Sequence, residues 1–297
     1  MRVFVTGATG FVGSAVVREL LKAGHQVIGL SRSDAGADSL EAIGAAVHRG
    51  SLDDLASLQA GAAKADAVIH TGFNHDFSRF KENCEADRRV ITALGEELSG
   101  SGCPLLVTSG TGLLQLGRTA TEDDLSDAGS SNPRVATEEA VAAIAGRGVT
   151  VSLIRLPPSV HGAGDHGFVP MLIAKARETG VSVYIGEGQN RWPAVHRLDA
   201  VRLYRLALER GASEPRYHAA AEEGVSFREI AAVIGRRLGL PVVSRSREEA
   251  AAHFGWFAHF AGMDSPASSA KTREWLRWQP IQPGLLEDLD QEAYFTN

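Results

Sequence analysis

The 297-residue chain has only two cysteines, Cys84 and Cys103. Two thiols offer no disulfide framework and no clustered metal-ligand spacing, so a reduced compartment is expected and metal chemistry is not. Long apolar runs are missing too. Nowhere do ~18 consecutive apolar residues occur, and the opening has no charged lead followed by a long apolar stretch. Neither a secretory signal nor a membrane span is expected, and a cytoplasmic address follows by default. There is no basic block either. With 36 acidic against 30 basic side chains the net charge is −6, which leaves nucleic-acid binding without an electrostatic footprint. The expected partner is a small molecule, handled by a monomer or a homodimer.

What is present is 44% apolar residues, enough for one large core or two unequal lobes. The chain opens MRVFVTGATGFVGSA. Arg2 to Thr6 is a β-rich run ending in glycine, and Ser14 to Ala23 carries Val16, Val17, Leu20 and Leu21 at helical spacing. Further strands are expected at Gln26–Leu30, Ala46–His48, Ala67–Thr71, Leu105–Thr108 and Val149–Arg155, with helices at Glu85–Leu98 and Val135–Ala145 between them. Strands alternating with helices imply an α/β fold, a Rossmann-type doubly wound parallel sheet. After about residue 156 the rhythm breaks at Pro157, Pro158, Gly162, Gly164 and Gly167. The expected division is a dinucleotide-binding domain over 1–156 and a smaller, interleaved substrate lobe over 157–297. Strands at Pro193–His196 and Tyr217–Ala220 are expected to return to the first sheet. Helices are expected near Val169–Glu178, Phe227–Leu238 and Ala267–Trp278.

The opening glycines have separable physical tasks. Gly7 permits a tight turn off the strand, Gly10 lets backbone approach a pyrophosphate, and Gly13 lets the helix pack close to the sheet. A lone glycine triplet is a weak signal. Here it follows a strand and opens an amphipathic helix, so a dinucleotide is expected.

TGATGFVG, Thr6 to Gly13, resembles the TGxxGxxG loop of the extended and atypical short-chain dehydrogenase/reductases, the NAD-dependent epimerase/dehydratase-like group. VIHTGF at Val68–Phe73 resembles that group's strand-four segment, RLPPSVHG at Arg155–Gly162 its Arg-Pro-x-x-Val-Tyr-Gly turn, and AVHRLDA at Ala194–Ala200 its His-Val-Asp-Asp segment. SSAKTREWLRWQP at Ser268–Pro280 resembles its closing helix and turn. The resemblance spans essentially the whole chain and implies an NAD(P)-dependent oxidoreductase. It places Thr9, Phe11 and Val12 with the three glycines at the cofactor, along with Thr71, Gly72, Thr108 and Pro157. Ser51 and Leu52 fall where the family has an aspartate and an apolar residue at the adenine; Asp53 is a possible stand-in for that aspartate.

Cofactor choice can be argued from charge. An NAD site places an acid at the end of the second strand, whereas a 2′-phosphate needs a cation and hydroxyls. GLSRSD offers Ser31, Arg32 and Ser33 with no carboxylate before Asp34, so NADP (as NADPH) is expected over NAD. Arg32 as an ordinary surface charge is the alternative.

The usual proton donor is absent from the sequence. The family uses a tyrosine with a lysine four residues on, aided by a serine or threonine. None of Tyr184, Tyr204, Tyr217 and Tyr294 has such a lysine, and the aligned positions hold Arg134 and Glu138. Ser109 and Thr111 flank a glycine at the serine position, and serve either catalysis or backbone capping. In NHDFSRF, His75 and Arg79 are four apart and share a face if the segment is helical; they are either a substitute pair or a solvated surface. His161 is a further candidate or a packed core histidine. HFGWFAHF, His253 to Phe260, supplies aromatic surface for core or for an apolar pocket. Two functions follow from these readings: an NADPH-dependent oxidoreductase of a carbonyl-type small molecule, or a non-catalytic NAD(P)-binding redox sensor or regulatory module.

Overall fold

The computed structural model describes residues 1–127 and 129–296. Its first half alternates strand and helix in chain order: β1 (Arg2–Thr6), α1 (Phe11–Lys22), β2 (Gln26–Ser31), α2 (Asp34–Ala42), β3 (Ala46–Arg49), α3 (Leu55–Ala62), β4 (Ala67–His70), α4 (Phe80–Leu98), β5 (Leu105–Gly110), α5 (Val135–Ala145) and β6 (Val151–Leu156). The period of two along β1 divides its side chains between two cores. Phe4 joins Val68, Ile91, Leu94, Leu105 and Ile144 on one face. Val3 and Val5 join Val16, Leu20, Leu203, Tyr204 and Trp278 on the other. With both faces covered by helices, every strand of this sheet runs parallel, as expected of a doubly wound arrangement.

The second half continues through β7 (Ser159–His161), α6 (Phe168–Thr179), β8 (Ser182–Ile185), β9 (Arg191–His196), α7 (Arg197–Glu209), β10 (Arg216–His218), β11 (Glu222–Ser226), α8 (Phe227–Leu238), β12 (Val242–Arg245), α9 (Arg247–Phe254), α10 (Ala258–Ala261), α11 (Ala270–Leu276) and α12 (Leu285–Leu289). The large sheet has the order β3-β2-β1-β4-β5-β6-β10. Tyr217 and His218 thus return to it beside β6, as expected. The strand at Pro193–His196 does not. β9 instead lies between β7 and β11 in a separate three-stranded sheet, because its paired edges are taken by Ser159–His161 and by β11. β8 and β12 form a third, two-stranded sheet. A separate apolar core fills the space around α6, α8 and α9, with Trp192, Phe227 and Ile230 fully buried in it. Among the described residues, no helix is long and apolar enough to cross a membrane.

The strand order reverses between β1 and β4, which opens a crevice at their carboxyl ends. There the backbones nearly touch. A Cβ on Gly7, which has φ +66°, would lie 2.7 Å from the Gly72 nitrogen, and one on Gly13 would lie 2.0 Å from the Gly7 carbonyl oxygen. Thr71 completes the lock by donating its hydroxyl to the Thr6 carbonyl at 2.7 Å.

A methyl at Gly13 must therefore push α1 off the loop. Gly13→Ala should destabilise the fold by about 1–3 kcal/mol, the range for forced overpacking. Urea unfolding of Gly13→Ala beside Gly10→Ala checks this, since a Cβ at Gly10 comes no closer than 3.3 Å to its nearest neighbour. Equal midpoints for the two variants would contradict it.

Candidate active site

The crevice begins at the glycine loop. Gly10 precedes α1 with no side-chain cap, and the first turn of α1 carries no acid. Its amide hydrogens and positive dipole end therefore remain available to an anion. The three glycines differ in how tightly they are held: a Cβ on Gly7 or Gly13 would clash with backbone at 2.7 and 2.0 Å, whereas one on Gly10 would meet only the Gly7 carbonyl oxygen, at 3.3 Å. That pattern fits a bound dinucleotide diphosphate. Leu52 packs against Gly72 beside the cradle, with Ser51 accepting from the Asp53 amide at 3.3 Å. Thr9, Phe11 and Val12 lie in or just after the loop, and Pro157 is buried at the turn after β6.

At the far end of β2, Ser31 is buried and donates to the Ser33 carbonyl at 3.0 Å. Arg32 is exposed and has no ion-pair partner among the described residues. Sequence reasoning missed its neighbour. Arg49, at the end of β3 opposite Ser31, donates to the Ser33 carbonyl and pairs with Asp34, both at 2.5 Å. Only sheet register brings it there.

Below the crevice lies a buried polar network, also unforeseen. Thr6 Oγ1 is 2.6 Å from His70 Nδ1, and His70 Nε2 is 2.9 Å from Asp87 Oδ1. The other Asp87 oxygen accepts from Arg134 Nη1 at 2.8 Å and from Thr137 Oγ1 at 2.5 Å. Burial alone would raise the Asp87 carboxyl pKa, but Arg134, His70 and Thr137 outweigh it and hold it at about 2. Arg134 is thereby fixed over the Phe73 ring, 3.9 Å from its centroid, and reaches the Thr108 carbonyl at 3.2 Å. Its side chain retains 16% exposure.

The remaining sequence candidates divide by what they touch. Thr108 Oγ1 bonds the His70 carbonyl at 2.8 Å and the Tyr204 hydroxyl at 2.7 Å. Ser109 donates to Glu138 at 2.8 Å, and Glu138 is clasped by Arg155 at 2.8 and 2.6 Å. Thr111 is fully enclosed with no partner for its hydroxyl. His161 is likewise enclosed, with Nδ1 2.9 Å from Asp288. Burial raises the pKa of the Tyr204 phenol, which is bonded to Thr108, and of Tyr294, which accepts from the Gly162 amide at 3.0 Å.

His75 and Arg79 do not form the pair that helical spacing suggested. Residues 71–76 are not helical, and Arg79 lies in a short 3-10 turn, ion-paired to Glu82 at 2.5 Å on the exposed surface. His75 stands alone at the cleft. His75 is exposed at the surface, yet desolvation by neighbouring groups, followed by the Arg134 charge, lowers its pKa from the ordinary value of 6.5. Phe73 meets it edge-on at 5.2 Å. Phe77 then stacks on Trp256 at 4.9 Å and contacts Phe168 and Phe260, so the segment His253–Phe260 forms an aromatic wall of the cleft as well as core.

Removing the Asp87 charge tests the network. Asp87→Asn should cost about 3 kcal/mol, the low end for orphaning a buried partner, because Arg134 retains some solvent. The native carboxyl contributes stability above its ordinary pKa of 3.8 and loses it as pH falls toward about 2. Urea unfolding from pH 5 to 2 should show that acid limb in the native protein and a shallower one in the variant. Superimposable curves would refute the assignment.

Comparison with known proteins establishes the family. The chain is 50% identical to an uncharacterized protein of Schizosaccharomyces pombe, over 99% of this chain and 100% of that one. It is 30% identical to a Streptomyces dTDP-4-dehydro-6-deoxy-D-allose reductase, covering 80% and 82% of the two chains. The Thermus thermophilus UDP-glucose 4-epimerase, solved with NAD, superimposes with a TM-score of 0.75 at 21% identity, over 99% and 98% of the chains; this likeness concerns the fold alone. The model of the NAD dependent epimerase/dehydratase family matches residues 3–220. The chain belongs to that family.

Proposed function

We propose that the chain is an NADPH-dependent reductase of a carbonyl group on a small, partly apolar molecule, also competent in the reverse oxidation. The carrying observation is the Arg134 guanidinium, locked by Asp87 at the switch-point crevice beside the proton-bearing ring of His75. The reductase relative supports carbonyl chemistry, and the aromatic wall supports an apolar substrate portion. NADPH, when bound, would supply hydride to the carbonyl carbon. Arg134 holds the carbonyl oxygen and stabilises its developing negative charge through a fixed fork. A guanidinium does not release a proton at working pH, so it cannot be the acid. The hydroxyls of Thr108 and Ser109 are committed to protein partners and that of Thr111 is enclosed. His75 then donates the proton, and its lowered pKa makes it a stronger acid than ordinary imidazole. The enclosure of Thr111 and the commitment of Ser109 favour a second reading, a non-catalytic NAD(P)-binding regulator. Turnover of any member of a carbonyl panel separates the two.

The sign of the pH effect follows. His75 must be protonated to reduce and neutral to oxidise. Carbonyl reduction should therefore fall as pH rises through a midpoint below 6.5, and alcohol oxidation should rise through it. His75→Ala should lose about 10²–10⁴-fold in single-turnover rate with cofactor affinity little changed. Native rates and an unshifted profile in the variant would remove His75 from the chemistry.

The 2′-phosphate preference rests on Arg32, supported by Arg49 and Ser31. Each charge-assisted bond is worth about 1.5–3 kcal/mol. Fluorescence titration should show NADPH bound more tightly than NADH, with Arg32→Ala erasing most of the difference. Equal native affinities would sink it.

A further inference from the structure

We infer that Arg197 is a clamp on the cofactor diphosphate, closing the cradle from the side opposite the glycine loop; this rests on the dinucleotide reading above. Arg197 is the first residue of α7, placed where His196 Nδ1 accepts from the Leu198 amide at 3.2 Å. α7 packs along α1 through the shared core of Val16, Leu20, Val201 and Tyr204. That packing carries the guanidinium to the start of α1. Its Cζ lies 4.5 Å from the centroid of the Phe11 ring, and Nη1 reaches the Phe11 carbonyl only at 3.5 Å. Phe11 is the first residue of α1, directly after the uncapped Gly10.

The charge of Arg197 is not met by the protein. Among the described residues no carboxylate lies within ion-pair distance of it, whereas the part-buried Arg134 and the fully buried Arg155 each have one. Its Nε is buried with no hydrogen-bond partner. Burial and the nearby Arg18 disfavour its charged form, with Asp165 a lesser opposing influence. Asp165 is itself occupied by the Gly167 amide at 2.7 Å and faces the Tyr294 hydroxyl at 3.4 Å. A half-buried cation, an unfilled N–H and an uncapped helix start with no acid in its first turn share one deficit. A doubly charged group at the α1 N-terminus would satisfy all three, and the diphosphate is the cofactor group of that charge. In the His-Val-Asp-Asp segment that Ala194–Ala200 resembles, this position is a valine, so the cation is a feature of this chain.

The experiment is a titration of NADPH, NADH and adenosine 2′,5′-bisphosphate against the native protein, Arg197→Met, Arg197→Lys and Arg32→Ala, at two ionic strengths. The clamp predicts that Arg197→Met weakens NADPH and NADH by the same factor, about 10-fold or more, and lowers their salt dependence. The bisphosphate keeps only the adenosine-side phosphate of the diphosphate and should lose clearly less than either dinucleotide. Arg197→Lys should recover part of the loss, as a merely structural stack on Phe11 would not. Arg32→Ala should weaken NADPH and the bisphosphate and spare NADH. Unchanged dinucleotide affinities in folded Arg197→Met, or a loss that includes the bisphosphate equally, overturns the clamp and leaves the dinucleotide reading standing. Failure of the native protein to bind either dinucleotide overturns both.

Discussion

The floor of the site depends on one buried carboxylate. Asp87 sits on α4, yet its two oxygens reach His70 at the end of β4 and both Arg134 and Thr137 at the start of α5. Through Arg134 it also bears on the Thr108 carbonyl of β5. Four neighbouring elements are thus tied at a single point beside the crevice. A charge in such surroundings is costly unless every lone pair is used. Here three donors converge on it, which is why the carboxyl stays ionised despite its burial.

That anchor changes what chemistry the crevice can host. The positions that the family resemblance gives to tyrosine and lysine hold Arg134 and Glu138, and each is bound to an oppositely charged partner: Arg134 to Asp87, Glu138 to Arg155. A lysine would lower the pKa of a phenol beside it. A carboxylate already clasped by an arginine neither lowers a neighbouring pKa nor frees Ser109, whose hydroxyl it accepts. The charge that can meet a developing oxyanion therefore comes from a group that keeps its proton. In the mechanism proposed above, proton delivery and charge stabilisation, joined in a tyrosine–lysine site, are separated between His75 and Arg134.

The sequence made the scaffold legible because its signals are local. The strand of β1, the glycine turn and the α1 stripe follow one another within 22 residues, and the β/α rhythm repeats them. The site was less legible because its partners are distant in sequence. Asp87 reads as one more acid on a charged helix, and only folding places it against Arg134, 47 residues on. Arg49 reaches Ser33 through the β2–β3 register. The spacing of His75 and Arg79 was uninformative for a different reason: a four-residue interval defines a face only inside a helix, and the 71–76 segment has no regular secondary structure. β9 shows the same limit for strands. Its apolar character identified a strand but could not say which sheet would receive it.

The segment carrying His75 is also held differently from the rest of the crevice. No strand ladder or α-helix fixes 71–76, whereas Arg134, His70 and Asp87 stand on regular elements or at their ends. Its position comes from the locked start at Thr71 and Gly72 and from the aromatic contacts of Phe77 with Trp256, Phe168 and Phe260 across the cleft. Such ring pairs contribute about 0.5–1.5 kcal/mol each beyond their burial, less than a buried ion-pair network resists. Trp256 is 56% exposed, so its stack on Phe77 is the contact most open to water. Arg134 is therefore held by the Asp87 carboxylate of α4, while the His75 segment is placed by Phe73 beneath Arg134, by Asn83 donating to the Asp76 carbonyl at 2.8 Å, and by contacts with the second lobe. Under the proposed mechanism, substrate that fills the aromatic wall would bring His75 toward the oxygen assigned to Arg134, which would couple recognition of an apolar portion to the chemistry at the carbonyl.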